Sequence, residues 1–123
     1  MTRWDVFVYG TLRRGFGNHH SLRGAELLGA GRTERPYGLY LEAGIPYLLA
    51  DEARYPVVGE LYRVDAQILA ALDRLEEHPH VYERREAGVV LESGEERQAW
   101  IYFARRAHGV AAGAGDFAKL STI

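Results

Sequence analysis

Residues 57–77 read VVGELYRVDAQILAALDRLEE, and this stretch decides the fold. Val58, Glu60 and Tyr62 alternate with Val57, Gly59 and Leu61, the period of a strand over residues 57–64. Asp65 stops the alternation and is a good helix N-cap, because its carboxylate accepts a hydrogen bond from a backbone N–H of the first turn. Ile68, Leu69, Leu72 and Leu75 then recur at helical spacing, which predicts a helix over residues 66–75 with those side chains inward. Glu76 lies four residues after Leu72 and seven after Leu69. One further residue of helical geometry puts it on the leucine face, whereas Glu77 follows Asp73 toward solvent.

An inward carboxylate needs a partner or a raised pKa, since burying a lone ion costs several kcal/mol, roughly. Three readings of Glu76 are open. It pairs with Arg13, Arg14, Arg84 or Arg85. The helix unwinds before Pro79 and the side chain turns to water. Or it stands in a cleft as a general acid or base, its pKa lifted toward neutrality by desolvation.

Outward from this unit, strand patterns occur at residues 4–9, 25–32, 37–41, 45–49, 82–91 and 97–103. The last two are joined by a turn at Glu92, Ser93, Gly94 and Glu95. Most connections are short, which favours antiparallel pairing over βαβ crossovers. The expectation is one α+β domain: a curled or closed sheet with the helix packed against it. Residues 1–106 form this domain, and residues 107–123, rich in Ala and Gly without a period, form a loosely held tail on which Phe117 and Leu120 dock.

The composition removes several classes of function. A chain of 123 residues with 47% hydrophobic content builds one core. A net charge of −2 gives no reason to expect nucleic acid or an acidic membrane surface. No apolar run is long enough to span a bilayer, and residues 1–5 lead straight into a strand rather than a secretory signal. With no cysteine there are no disulfides, thiolate metal sites or cysteine nucleophiles, which fits a cytoplasmic setting. Lys119 is the only lysine, so Schiff-base chemistry would rest on a residue in the tail.

The first strand runs into YGTLRRGFGNHH, residues 9–20. Gly10 and Gly15 have the spacing of a phosphate loop, but Phe16 and Gly17 stand where the lysine and hydroxyl residue belong. The dinucleotide fingerprint fails as well, since His20 occupies the third glycine position. The loop thus brings backbone close to a ligand that is not a nucleotide, with Asn18 as a cap for a short helix through Leu22. Three of the histidines His19, His20, His78 and His80 could hold zinc, but neither pair has the helical i, i+4 spacing. No serine lies in a G-x-S-x-G elbow. Of the aromatic residues Tyr37, Tyr40, Tyr62, Trp100 and Tyr102, most belong to the core, with one or two hydroxyls available to a ligand.

Taken together, VFVYGTLRRGFGNHH (residues 6–20) and VVGELYRVDAQILAALDRLEEHPHVYERR (residues 57–85) resemble the γ-glutamylcyclotransferase-like family, which includes the γ-glutamylamine cyclotransferases and AIG2-like proteins. The resemblance covers residues 5–104. It implies a small mixed, largely antiparallel β barrel with one main helix. It implies a substrate-binding loop at Tyr9, Gly10, Thr11 and Leu12 and a catalytic Glu76, with no metal and no cofactor. The implied reaction is intramolecular cyclisation of an L-γ-glutamyl amide to 5-oxoproline with release of the amine. The alternative is a non-catalytic module that binds a small molecule in the same cleft. One departure stands out: many relatives have Gly directly after the catalytic Glu, where this chain has Glu77.

Overall fold

The computed structural model describes residues 2–120. Its strands are β1 (Trp4–Val8), β2 (Glu26–Thr33), β3 (Gly38–Glu42), β4 (Ile45–Leu49), β5 (Val58–Val64), β6 (Tyr82–Leu91), β7 (Glu96–Ala104) and β8 (Val110–Ala111). One helix, α1 (Ala66–Leu75), and 3-10 turns at His19–Leu22 and Phe117–Lys119 complete the chain. Every expected strand and the helix are present.

Five strands close into a barrel in the order β1-β5-β2-β6-β7. Around a ring of five, strand direction cannot alternate throughout, so one seam must be parallel. That seam is β1 with β7, where Val6 faces Trp100, while the other four pairings are antiparallel. The barrel is mixed and largely antiparallel, as expected. The remaining strands form a separate sheet, β4-β3-β8. The alternation of a short strand shows which faces it buries but not which sheet it joins, so this division was not evident beforehand.

Two clusters of buried side chains follow the strand alternation. Val6, Val8, Tyr62, Val64 and Tyr102 pack with Leu69 and Leu72 of α1. Phe7, Leu61, Val89, Ile101 and Phe103 pack with Leu39, Leu41 and Leu48 of the second sheet. Asp65 caps α1, its Oδ1 accepting from the Ile68 N–H at 2.9 Å. Leu75 departs from the expected buried stripe and is 42% exposed.

The segment after Arg106 is more ordered than its composition suggests. β8 pairs with β3, with Tyr40 facing Ala111, and the Val58 N–H donates to the Gly115 carbonyl at 2.9 Å. Phe117 is buried. Small residues carry no periodic signal, and here they permit close contact: a Cβ on Gly115 would collide with the Pro56 carbonyl. The last part of the expected tail, residues 121–123, lies outside the described residues.

Candidate active site

A cavity of about 250 Å³ opens where the end of β1, the end of α1 and the start of β4 meet. Its walls include Tyr9, Gly10, Thr11 and Leu12 together with Glu76, Tyr82 and Tyr102. The loop and the glutamate singled out from the sequence therefore line one hollow.

Glu76 is delivered by the way the helix stops. Its own N–H still bonds to the Leu72 carbonyl at 2.9 Å with φ −85° and ψ 0°, so helical geometry lasts one residue beyond Leu75. Glu77 then turns to a left-handed φ of 52°. The N–H of Glu77 bonds to the Arg74 carbonyl at 3.2 Å, and that of His78 to the Asp73 carbonyl at 2.9 Å. This pairing is the Schellman ending, whose left-handed residue is usually glycine. Glu76 points into the cavity and Glu77 is exposed at its edge.

The ion-pair reading of Glu76 fails. Arg13 bonds to Asp116, Arg84 to Asp73 through two nitrogens at 2.8 and 3.1 Å, and Arg85 to Glu83, and among the described residues no salt bridge, from Arg14 or any other cation, reaches Glu76. The unwinding reading fails with the Leu72 bond. Burial alone acts on the Glu76 carboxyl and pushes it up to about 7.

The loop after β1 is held on its outer side. The Arg13 N–H closes a turn onto the Gly10 carbonyl at 3.0 Å, and the Asn18 N–H bonds to the Thr11 carbonyl at 3.0 Å. Asn18 Nδ2 donates to Thr11 Oγ1 at 2.9 Å, and His19 Nδ1 lies 2.9 Å from the Leu12 carbonyl. Asn18 precedes the 3-10 turn as expected, but its side chain makes no capping bond and braces the loop instead. Among the described residues, the backbone N–H groups of Gly10, Thr11 and Leu12 donate to no protein acceptor. Gly10 is required by the fold itself, since a Cβ there would collide with the Pro46 ring.

Tyrosines make up much of the wall, and the sequence did not single out Tyr82 and Tyr47. Tyr82 stacks on Tyr47 with ring centroids 5.7 Å apart and donates its hydroxyl to the Pro46 carbonyl at 2.7 Å. Tyr9 donates to the Tyr102 carbonyl, and Tyr102 to Asp73, both at 2.7 Å. Burial, reinforced by the neighbouring Glu76 carboxylate, raises the Tyr82 hydroxyl far above the usual range, so it stays protonated. Among the described residues, the carboxylates on the wall are Glu76 and Glu77, and no Arg, Lys or His stands there. Among the described residues no cluster of His, Asp or Glu has the geometry to hold a metal ion.

A small five-stranded barrel with a loop of free amides facing one partly buried glutamate defines a class of compact cleft proteins. Comparison with known proteins gives the class its family. The family model described as "Gamma-glutamyl cyclotransferase, AIG2-like" matches residues 6–119. A protein of Methanocaldococcus jannaschii with a provisional γ-glutamylcyclotransferase name is 41% identical over 113 residues, covering 91% of this chain and 93% of its own. Gamma-glutamylaminecyclotransferase A of Danio rerio is 34% identical over 108 residues, covering 80% of this chain and 67% of its own. The crystal structure of an AIG2-like protein from Mus musculus superposes with a TM-score of 0.76 at 33% identity, covering 85% of this chain and 79% of that one. The chain belongs to the γ-glutamyl cyclotransferase, AIG2-like family.

Proposed function

We propose that the chain converts an L-γ-glutamyl amide into 5-oxoproline and a free amine, with Glu76 as general acid and base. The observation that carries this reading is the Glu76 carboxyl, without a partner among the described residues and raised to about 7 by burial in the cavity that the amides of residues 10–12 also line. A site built only to hold a carboxylate gains nothing from an anion on its wall.

Nucleophile and electrophile belong to one molecule, so the site's first task is to fold the substrate into a reactive shape. The α-amine, with a pKa of ~7.7–8.0 in peptides, arrives largely as an ammonium. The Glu76 carboxylate removes one of its protons. The amine nitrogen attacks the γ-carbonyl carbon and a five-membered ring forms. The N–H groups of Gly10, Thr11 and Leu12 hold the substrate's α-carboxylate, with one positioned for the γ-oxygen as charge builds there. Glu76 returns a proton to the leaving nitrogen and the C–N bond breaks. The ring nitrogen gives up its second proton through Glu76 to the departing amine, so two protons pass from the α-nitrogen to that amine over the whole reaction, and no water is consumed. Tyr9 closes the floor behind the loop.

The cavity is smaller than the roughly 300–1,000 Å³ of drug-sized pockets, so it suits the glutamyl headgroup and leaves the amine at the mouth. There Ile45, Leu75 and Val81 are 46%, 42% and 36% exposed and form an apolar rim. That rim suits an alkyl amine, in keeping with the name of the zebrafish relative.

Incubation with γ-glutamyl amides and detection of 5-oxoproline tests the reading. Glu76→Gln is expected to lower kcat about 10²–10⁴-fold while substrate binding is largely kept. Binding of γ-glutamyl amides without turnover by the wild type would mark a binding module instead.

A further inference from the structure

We propose that the C-terminal segment belongs to the site's machinery: Asp116, acting through Arg13, sets the orientation of the Gly10, Thr11 and Leu12 amides. Both are then positioning residues for the cyclisation, an assignment that rests on the function proposed above.

Arg13 sits at the junction. Its N–H closes the turn onto the Gly10 carbonyl, so movement of its backbone passes to the Thr11 and Leu12 amides inside that turn and to Gly10 at its start. Its guanidinium Nη1 donates to Asp116 Oδ1 at 2.8 Å across a sequence separation of 103 residues. The two side chains are only 13% and 20% exposed. Its Nε is buried without a hydrogen bond among the described residues and stands 3.8 Å from Glu60 Oε2, too far for one.

Two carboxylates thus compete for one guanidinium, and Asp116 holds it. Glu60 is itself occupied on the loop's other side, where its Oε1 accepts from the Arg14 N–H at 3.0 Å and the Tyr62 hydroxyl at 2.9 Å. The segment that presents Asp116 is pinned independently. Gly115 accepts from β5, Asp116 Oδ1 also accepts the Ala118 N–H at 3.1 Å, and Phe117 packs on Phe16 with centroids 5.1 Å apart. The anchoring is therefore a chain of contacts from β5 through the C-terminal segment to the loop.

Losing the Asp116 charge leaves Glu60 as the one anion beside Arg13 among the described residues. The guanidinium then closes on Glu60, because an unpaired buried charge is costly, and the turn at residues 10–13 follows it. A substrate carboxylate meets misaligned donors.

The experiment compares Asp116→Asn and Asp116→Glu with the wild type. The expected result in Asp116→Asn is displaced amide resonances of Gly10, Thr11 and Leu12 without substrate. KM for a γ-glutamyl alkylamide should rise about tenfold, the size of one weakened charged hydrogen bond, with kcat changed less than about threefold. Asp116→Glu keeps the charge and recovers most of the KM. A fall in Tm with KM and the three resonances unchanged overturns the proposal. Should Asp116→Asn not fold, Phe117→Leu loosens the same segment with its charges intact and must move the same resonances; if they stay fixed, the proposal also fails. The resonances report on the coupling even if the wild type turns over no γ-glutamyl amide, so failure of the proposed activity and failure of this inference are distinguishable.

Discussion

Ionised Glu76 works against folding. Its carboxyl titrates near 4.5 in an ordinary setting and near 7 when folded, so between those values the folded chain binds more protons than the unfolded one. Stability therefore falls as pH rises from about 4.5 to about 7, and the full penalty remains above that. At 1.36 kcal/mol for each pH unit between about 4.5 and about 7, the penalty is on the order of 3–4 kcal/mol. Glu76→Gln should melt above the wild type at pH 8, with the gap closing toward pH 5. An equal gap at both values contradicts it. On the proposed function the same titration sets the rate: the wild-type kcat/KM for a γ-glutamyl amide should climb through an acid limb centred near pH 7. A limb near pH 4–5 would mean a solvated carboxylate. Sequence spacing identified the residue because the leucine period carries over to position 76. It could not identify Tyr82 or Asn18, whose roles depend on pairing with Pro46 and Thr11, contacts that leave no period.

At the scale of the element, α1 was legible from end to end because its signals are local: an Asp cap, a leucine stripe and a proline beyond. Its ending holds the one conformation that its sequence resists. A left-handed residue without the freedom of glycine is disfavoured by roughly 1–2 kcal/mol, and Glu77 occupies that position at φ 52°. Glu77→Gly should raise stability by about 1 kcal/mol, read as a rise of a few degrees in Tm, with the Schellman bonds retained. A lower Tm would show that the Glu77 side chain stabilises the fold in some other way. The strands were legible as strands, since alternation is also local. Their division into a barrel and a second sheet was not, because it rests on pairings between residues far apart in sequence, such as Val6 with Trp100 and Tyr40 with Ala111.

For the molecule as a whole, closure depends on β7, which joins β6 to β1 and completes the ring. A chain ending at residue 95 keeps α1 and most strands but leaves two long unpaired edges. It should show no cooperative thermal transition, measured by circular dichroism; a sharp melt would mean that the open sheet is stable alone. The parallel seam has a further consequence during synthesis. β1 leaves the ribosome well before its partners β5 and β7, the second of which ends at Ala104, and Asp116 follows later still. The nascent chain therefore cannot close its barrel, or bring Asp116 to Arg13, until residues far downstream of the turn at residues 10–13 have emerged.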